Sequence, residues 1–96
     1  MPRMLIVREP RYLSYLDEKS FYSWLESIEG VAGVQGCVQG LRVDLVDAKV
    51  GRSCLSDLIA LFVRYSMDVR FLSDVIEYED KEWFSDPSAY WHAHIS

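Results

Sequence analysis

The hydrophobic positions of this chain recur at helical spacing in two separate segments. In the first segment, four apolar side chains stand at positions i, i+3, i+4 and i+7, which predicts one buried face on a helix. They are Phe21, Trp24, Leu25 and Ile28. Asp17 precedes this pattern as the expected N-cap, and Gly30 follows it as the expected C-cap.

A second helical pattern follows Ser53, a residue type that caps helices well. Its apolar stripe is wider than one face of a helix needs, which indicates burial on more than one side. The stripe consists of Cys54, Leu55, Leu58, Ile59, Leu61, Phe62 and Tyr65.

Strand patterns occupy the segments around these helices. Met4–Val7 is a short and fully apolar run, which favours a buried strand. Val31–Val46 predicts a β-hairpin that turns at Gln39 and Gly40, where glycine can adopt a positive φ. After this turn, hydrophobic residues at 41, 43 and 45 alternate with charged residues at 42 and 44, as in a strand with one buried face.

One segment supports two different predictions. Met67, Val69 and Phe71 alternate with charged residues, which favours a fourth strand over Met67–Leu72. Alternatively, Asp68 caps a helix that uses apolar side chains further along the chain. These side chains are Leu72, Val75 and Ile76.

With the fourth strand, the order of elements is β-α-β-β-α-β, which is the order of the ferredoxin-like fold. We therefore expect one α+β domain over residues 1–96, built as a two-layer sandwich. Residues 1–76 form its predicted core, and residues 77–96 form a C-terminal aromatic helical extension that docks on this core. Because the first strand is apolar on both faces, its second face needs a cover. The extension or a second copy of the chain is the expected cover.

The C-terminal third, residues 68–96, is both acidic and aromatic. It contains seven acidic and two basic residues and accounts for the whole net charge of −5. Disordered solubility tails are poor in aromatics, so this segment is expected to dock on its own domain or on a partner. Asp86 and Pro87 predict the start of a short final helix. The predicted partner-binding residues are Glu77, Glu79, Asp80, Glu82, Trp83, Tyr90 and Trp91.

Catalytic and cofactor patterns are weak in this sequence. His92 and His94 would share a face only on a strand, and a metal ion would need further ligands. Cys37 and Cys54 show no CxxC spacing, which favours two free thiols in a reducing cytosol. The glycines match neither a dinucleotide-binding nor a P-loop pattern. We therefore expect no enzymatic activity, no metal and no cofactor.

Charge and hydropathy narrow the class of partner. A pI near 4.8 without a basic stripe argues against binding to nucleic acid or to anionic membranes. The sequence has no run of about 20 apolar residues, so no membrane span is predicted. The apolar run Met4–Val7 is too short for the core of a signal peptide. The expected location is the cytoplasm.

Two motifs resemble a group of small bacterial proteins of unknown function. The first is LIALF followed by RY, in the helix at residues 58–65. The second is the ending EWF-x-x-P-x-x-YW at residues 82–91. The resemblance covers most of the chain, but it implies no activity and contributes no catalytic residue.

These observations favour a non-catalytic module that binds another protein. Aromatic side chains supply binding energy at interface centres, and surrounding carboxylates attract a basic partner. A sharper hypothesis is an immunity- or antitoxin-like inhibitor that covers a basic enzyme, and a homodimer is also possible. The alternative function is a small-molecule-binding regulatory domain. Its pocket would be lined by the glycine-rich hairpin and the open face of the sheet.

Overall fold

The computed structural model describes residues 3–46 and 49–94, so residues 95 and 96 of the predicted extension lie outside it. The longer elements follow in the order β1 (Arg3–Val7), α1 (Tyr15–Ser27), β2 (Val31–Cys37), β3 (Gly40–Leu45) and α2 (Arg52–Arg64). The shorter ones are a helix α3 (Lys81–Phe84) and 3₁₀ helices at Val69–Val75, Tyr78–Asp80 and His92–His94. The predicted α+β class is confirmed. No described helix is both long and apolar enough to cross a bilayer.

The strands form one antiparallel sheet in the order β1-β3-β2. The central strand β3 buries Leu41, Val43 and Leu45, as the alternation of its sequence predicts. On β1, Leu5 pairs with Val43, and Leu5 and Val7 are buried with it. The period-2 pattern therefore identified the buried face of the sheet correctly.

The hairpin between β2 and β3 depends on Gly40. This glycine has a φ of +138°, as predicted for the turn, and it stands at the first position of β3. A Cβ atom on residue 40 would lie 2.3 Å from the carbonyl oxygen of Val7 in the neighbouring strand. Residue 40 is therefore glycine for reasons of space as well as backbone conformation.

The N-cap of α1 is Ser14, so the prediction of Asp17 was wrong by one turn. Ser14 Oγ accepts a hydrogen bond from the Asp17 backbone N–H at 3.2 Å. The Asp17 carboxylate in turn accepts one from the Leu13 N–H at 2.9 Å. The two side chains together satisfy N–H groups at the start of the helix, much as in a capping box. Both residue types are good caps, and the reciprocal bonding decides which of them precedes the helix.

The predicted apolar face of α1 is buried at three of its four positions, namely Phe21, Leu25 and Ile28. Trp24 is only half-buried, because it lies at the edge of a surface depression beside Arg64. The C-cap is Ile28 rather than Gly30, which takes a φ of +108° in the turn to β2.

Helix α2 has Gly51 as its N-cap and no side-chain cap, so the predicted cap Ser53 was wrong. The predicted width of its apolar stripe is confirmed, because α2 contacts both α1 and the Val69–Val75 3₁₀ helix. Its buried residues are Cys54, Leu55, Leu58, Ile59, Leu61 and Phe62.

The predicted fourth strand over Met67–Leu72 is wrong, because Val69–Val75 is a 3₁₀ helix. Val69, Leu72 and Val75 recur every three residues, which is the period of a 3₁₀ helix, and all three are buried. The Asp68 side chain caps this helix by accepting a hydrogen bond from the Arg70 N–H at 2.9 Å. The sheet thus has three strands in the described residues, and the ferredoxin-like sandwich is not confirmed.

The 3₁₀ helix Val69–Val75 packs beside β1 at the edge of the sheet. Arg3 of β1 donates a hydrogen bond from Nη1 to the Val75 carbonyl oxygen at 2.6 Å. On the face of β1 that points away from the core, Met4 and Ile6 remain 49% and 39% exposed. The expected cover of this second face by the extension is therefore not found among the described residues.

Candidate protein-interaction surface

The acidic and aromatic segment after residue 77 packs on the domain through one buried aromatic ring. Phe84, the last residue of α3, is only 6% exposed and belongs to the hydrophobic core. Trp91 folds back over it and donates a hydrogen bond from Nε1 to the Phe84 carbonyl oxygen at 2.7 Å. The Trp83 and Trp91 rings meet edge to face, with centroids 5.2 Å apart. Both indoles are half-buried and pack against the core, so their positions on the domain are fixed.

A turn joins α3 to Trp91, where the sequence predicted a final helix. Asp86 Oδ1 accepts hydrogen bonds from the Ser88 N–H at 2.9 Å and from its hydroxyl at 2.8 Å. These bonds favour the carboxylate and hold the pKa of Asp86 below its usual range. Only His92–His94 is helical, as a 3₁₀ helix, so Tyr90 and Trp91 precede it in the turn. Asp86 caps a single turn here instead of a helix.

Asp80 was predicted to be an exposed partner-binding acid, but it is only 9% exposed. Its Oδ1 accepts a hydrogen bond at 2.9 Å from Nε of Arg52, the first residue of α2. The Arg52 guanidinium carbon also lies 5.3 Å from the centroid of the Trp83 ring, within the range of a cation–π contact. Asp80 therefore holds the segment to the domain, and its carboxylate is occupied within the chain.

The other predicted residues divide into those that face solvent and those that are held by the domain. Glu79, Glu82 and Tyr90 are exposed. Glu77 is half-buried and forms an ion pair with Arg3 of β1. The acids that remain for a partner are therefore Glu79 and Glu82, on either side of Asp80.

A surface depression of about 550 Å³ brings Glu79 and Glu82 together with Trp83 and Asp86. Its remaining lining residues are Arg52, Ser85 and Pro87. We call this depression, with these seven lining residues, the acidic groove. Since the Arg52 charge is already paired with Asp80, three carboxylates and one indole ring line the same depression. Such a surface suits a guanidinium or ammonium group, by ion pairing with the carboxylates and contact with the edge of an indole whose ring Arg52 and Trp91 already contact.

The sequence pointed to this surface but missed two of its charged members. Asp86 stood out only as a cap residue, and Arg52 gave no signal because it precedes Asp80 by 28 positions. An isolated arginine at a helix start has no pattern of its own in the sequence. Its role follows from packing that brings the start of α2 beside α3.

The two thiols of the chain are free, with Cys37 half-buried and Cys54 buried. Burial raises the pKa of the Cys54 thiol, which keeps it in the unreactive protonated form. Within residues 3–46 and 49–94, no three His, Cys, Asp or Glu side chains come together as a metal-ligand set.

The glycine-rich hairpin does not enclose a pocket around its glycines. A Cβ atom on Gly36 would meet no atom within 4 Å, and one on Gly33 would meet only Asp44, at 4.0 Å. The sheet is open at these two glycines. The small-molecule-binding function stays a prediction.

Comparisons with known proteins add no relative to this picture. The chain matches no family model, no curated protein and no solved structure. The acidic groove and its geometry are accordingly the basis on which a function is proposed.

Proposed function

We propose that this protein is a non-catalytic interaction module whose acidic groove binds a basic segment of another protein. The observation that carries the proposal is the gathering of three carboxylates and Trp83 in one depression. The groove is anchored to the domain, because Phe84 beside Trp83 is buried in the core and Arg52 pairs with Asp80. A preformed groove binds a partner without losing conformational entropy in ordering itself.

The chemistry of the groove indicates what kind of segment it would bind. An arginine or lysine side chain could contact the edge of the indole while its charge meets the carboxylates of Glu79, Glu82 and Asp86. Small size and a net charge of −5 are also the properties of an inhibitor that covers a basic enzyme. An immunity- or antitoxin-like role in the cytoplasm is the specific form of the proposal. Two free thiols are consistent with that reducing compartment.

The proposal is tested with a deca-arginine peptide as a probe, measured by isothermal titration calorimetry at low and high salt. The test variant is the triple substitution Glu79→Gln, Glu82→Gln and Asp86→Asn, in which the asparagine can still cap its turn. The matched control neutralises three exposed acids elsewhere, through Glu18→Gln, Glu26→Gln and Asp57→Asn.

The groove variant is expected to bind the peptide about tenfold more weakly than the control, since three rim ion pairs contribute roughly 0.2–1 kcal/mol each. Equal weakening in both variants would show a nonspecific charge effect and contradict the proposal. Peptide binding that leaves the NMR resonance of the Trp83 indole N–H unchanged would also contradict the proposal. If sedimentation shows that the wild-type chain self-associates and the groove variant does not, the groove binds a second copy of this chain.

A further inference from the structure

A second surface of the protein contains three exposed arginines. Arg8 and Arg11 lie between β1 and α1, and Arg64 is the last residue of α2. Among the described residues, none of the three takes part in an ion pair. All three side chains are exposed, so their guanidinium groups are open to a ligand from solvent.

Two adjoining depressions bring these arginines together. The first has a volume of about 450 Å³ and is lined by Arg8 and Arg11. The second has a volume of about 520 Å³ and is lined by Arg11 and Arg64. The two depressions share Arg11, Tyr65 and Ser66 among their lining residues, so they are neighbours on one surface. We call it the arginine cleft, with Arg8, Arg11, Trp24, Arg64, Tyr65 and Ser66 as its defining residues.

The floor of the cleft is fixed by the core. The Tyr65 ring meets the buried Phe21 ring edge to face, with centroids 5.0 Å apart. Its hydroxyl donates a hydrogen bond to the Asp17 carbonyl oxygen at 3.2 Å. Ser66 has a φ of +58°, and the Met67 N–H bonds back to the Phe62 carbonyl oxygen at 2.8 Å. This is a helix C-terminus of the Schellman type with serine where glycine is usual.

The charge of the cleft is opposite to that of the whole chain. Its lining contains the three arginines and two acidic residues, Glu9 and Asp17, the second of which accepts a hydrogen bond from the Leu13 N–H. The third carboxylate at its edge, Asp68, is neutralised by a two-pronged pairing with Arg70, at 2.8 and 3.0 Å. The cleft is therefore positive in a chain with a net charge of −5. The 13 residues of α2 separate it from the acidic groove by roughly 18 Å.

We propose that the arginine cleft binds a small organic anion that carries a carboxylate or phosphate group on an aromatic ring. The guanidinium groups of Arg8, Arg11 and Arg64 supply donors for the anionic group, whose oxygens can accept two bonds from one arginine. The half-buried rings of Trp24 and Tyr65 supply an apolar wall for the aromatic part. This site is independent of the acidic groove and does not rest on the proposed function.

The experiment is a titration of the ¹⁵N-labelled full chain, followed by NMR. The probes are phenyl phosphate, benzoate, inorganic phosphate and the uncharged benzyl alcohol. Phenyl phosphate or benzoate is expected to shift the Trp24 indole N–H and the Tyr65 and Ser66 amides in a saturable way. The stronger of these two probes identifies the anionic group as a phosphate or a carboxylate. Benzyl alcohol is expected to leave these resonances unchanged.

Two variants decide whether the arginines are responsible. Arg11→Gln is expected to weaken binding at least tenfold, because Arg11 lines both depressions. The control Lys81→Gln removes an exposed cation outside the cleft and is expected to change nothing. If the Arg11→Gln chain is unfolded, Arg64→Gln provides the same test.

Four outcomes would overturn the inference. The first is the absence of saturable shifts with either aromatic anion. The second is equal binding by the Arg11→Gln and wild-type chains, and the third is equal weakening by Lys81→Gln. The fourth is binding of inorganic phosphate as tight as that of phenyl phosphate, which would remove the role of the aromatic wall.

Discussion

Gly40 shows how a single residue can be fixed by two requirements at once. Replacing it with valine is expected to cost about 2–6 kcal/mol of folding free energy. The left-handed backbone costs about 1–3 kcal/mol for a residue with a side chain, and overpacking adds about 1–3. The Cβ would press on the Val7 carbonyl oxygen, which belongs to the backbone of β1 and cannot rotate away. Urea unfolding of Gly40→Val measures the loss.

The neighbouring exposed residue supplies the control for this prediction. Gln39→Val lies in the turn itself, so a change within about 0.5 kcal/mol is expected. Equal losses at the two positions would mean that the space beside Val7 is not what restricts residue 40.

Asp80 is the second residue on which the structure depends. Asp80→Ala should lower the free energy of unfolding by about 1.5–3 kcal/mol, because it removes a hydrogen-bonded charge pair from a largely buried position. Glu79→Ala, at the exposed neighbouring position, should change it by less than about 0.5 kcal/mol. Combining Asp80→Ala with Arg52→Ala in a double-mutant cycle measures the coupling. A coupling near zero would show that the pair contributes nothing.

At the scale of elements, the segment from α3 to Trp91 belongs to the core rather than to a free tail. Deleting residues 82–96 is expected to unfold or aggregate the protein. Loss of a buried phenylalanine alone costs about 3–5 kcal/mol, and the whole stability of a domain is about 5–15. Circular dichroism and analytical ultracentrifugation of the truncated chain test this expectation. Tyr90→Ala, at a ring that is 56% exposed, is the control and should remain folded.

The same scale shows where sequence patterns suffice and where they fail. The spacing of hydrophobic residues in β3 and α2 predicted their buried faces. Each pattern fits only one period, that of a strand in β3 and that of a helix in α2. The segment after Met67 carries periods of two and three at once, and burial of Val69, Leu72 and Val75 selected the second. Local sequence could not decide between a strand and a 3₁₀ helix, because the choice depends on how this segment packs against β1 and α2.

The caps and the candidate sites show a second limit. Ser14 and Asp17 both have cap chemistry, so only the hydrogen bonds that they accept from the Asp17 and Leu13 N–H groups identify the first helical residue. The acidic segment was visible in the sequence as a concentration of charge. The pairing of Arg52 with Asp80 and the arginine cleft were not visible in the sequence. Each brings together residues that lie far apart in the chain.

At the scale of the whole molecule, three tyrosines make stability sensitive to high pH. Burial raises the pKa values of Tyr12, Tyr22 and Tyr65 above the usual value near 10. The unfolded chain releases these phenolic protons first, so their contribution to stability is complete below about pH 10 and is lost as pH rises further. Urea unfolding between about pH 8 and 11 should show this fall.

Tyr12→Phe should make the fall shallower, because phenylalanine has no proton to release. At neutral pH the same variant should be about as stable as the wild type, since the buried Tyr12 hydroxyl makes no well-formed hydrogen bond among the described residues. An unchanged alkaline slope would show that Tyr12 does not couple folding to pH.

The outer edge of the sheet has a consequence for how the protein behaves when concentrated. Strand β2 pairs only with β3 in the described part of the chain, and its seven residues carry no charge. An uncharged free edge is a template for stacking one molecule on the next into fibrils. Two glycines and the irregular register between Val31 and Gly33 oppose this, since they twist and weaken the edge. Gly33 and Gly36 therefore protect the protein against fibril growth, and β-branched residues at these positions would remove that protection.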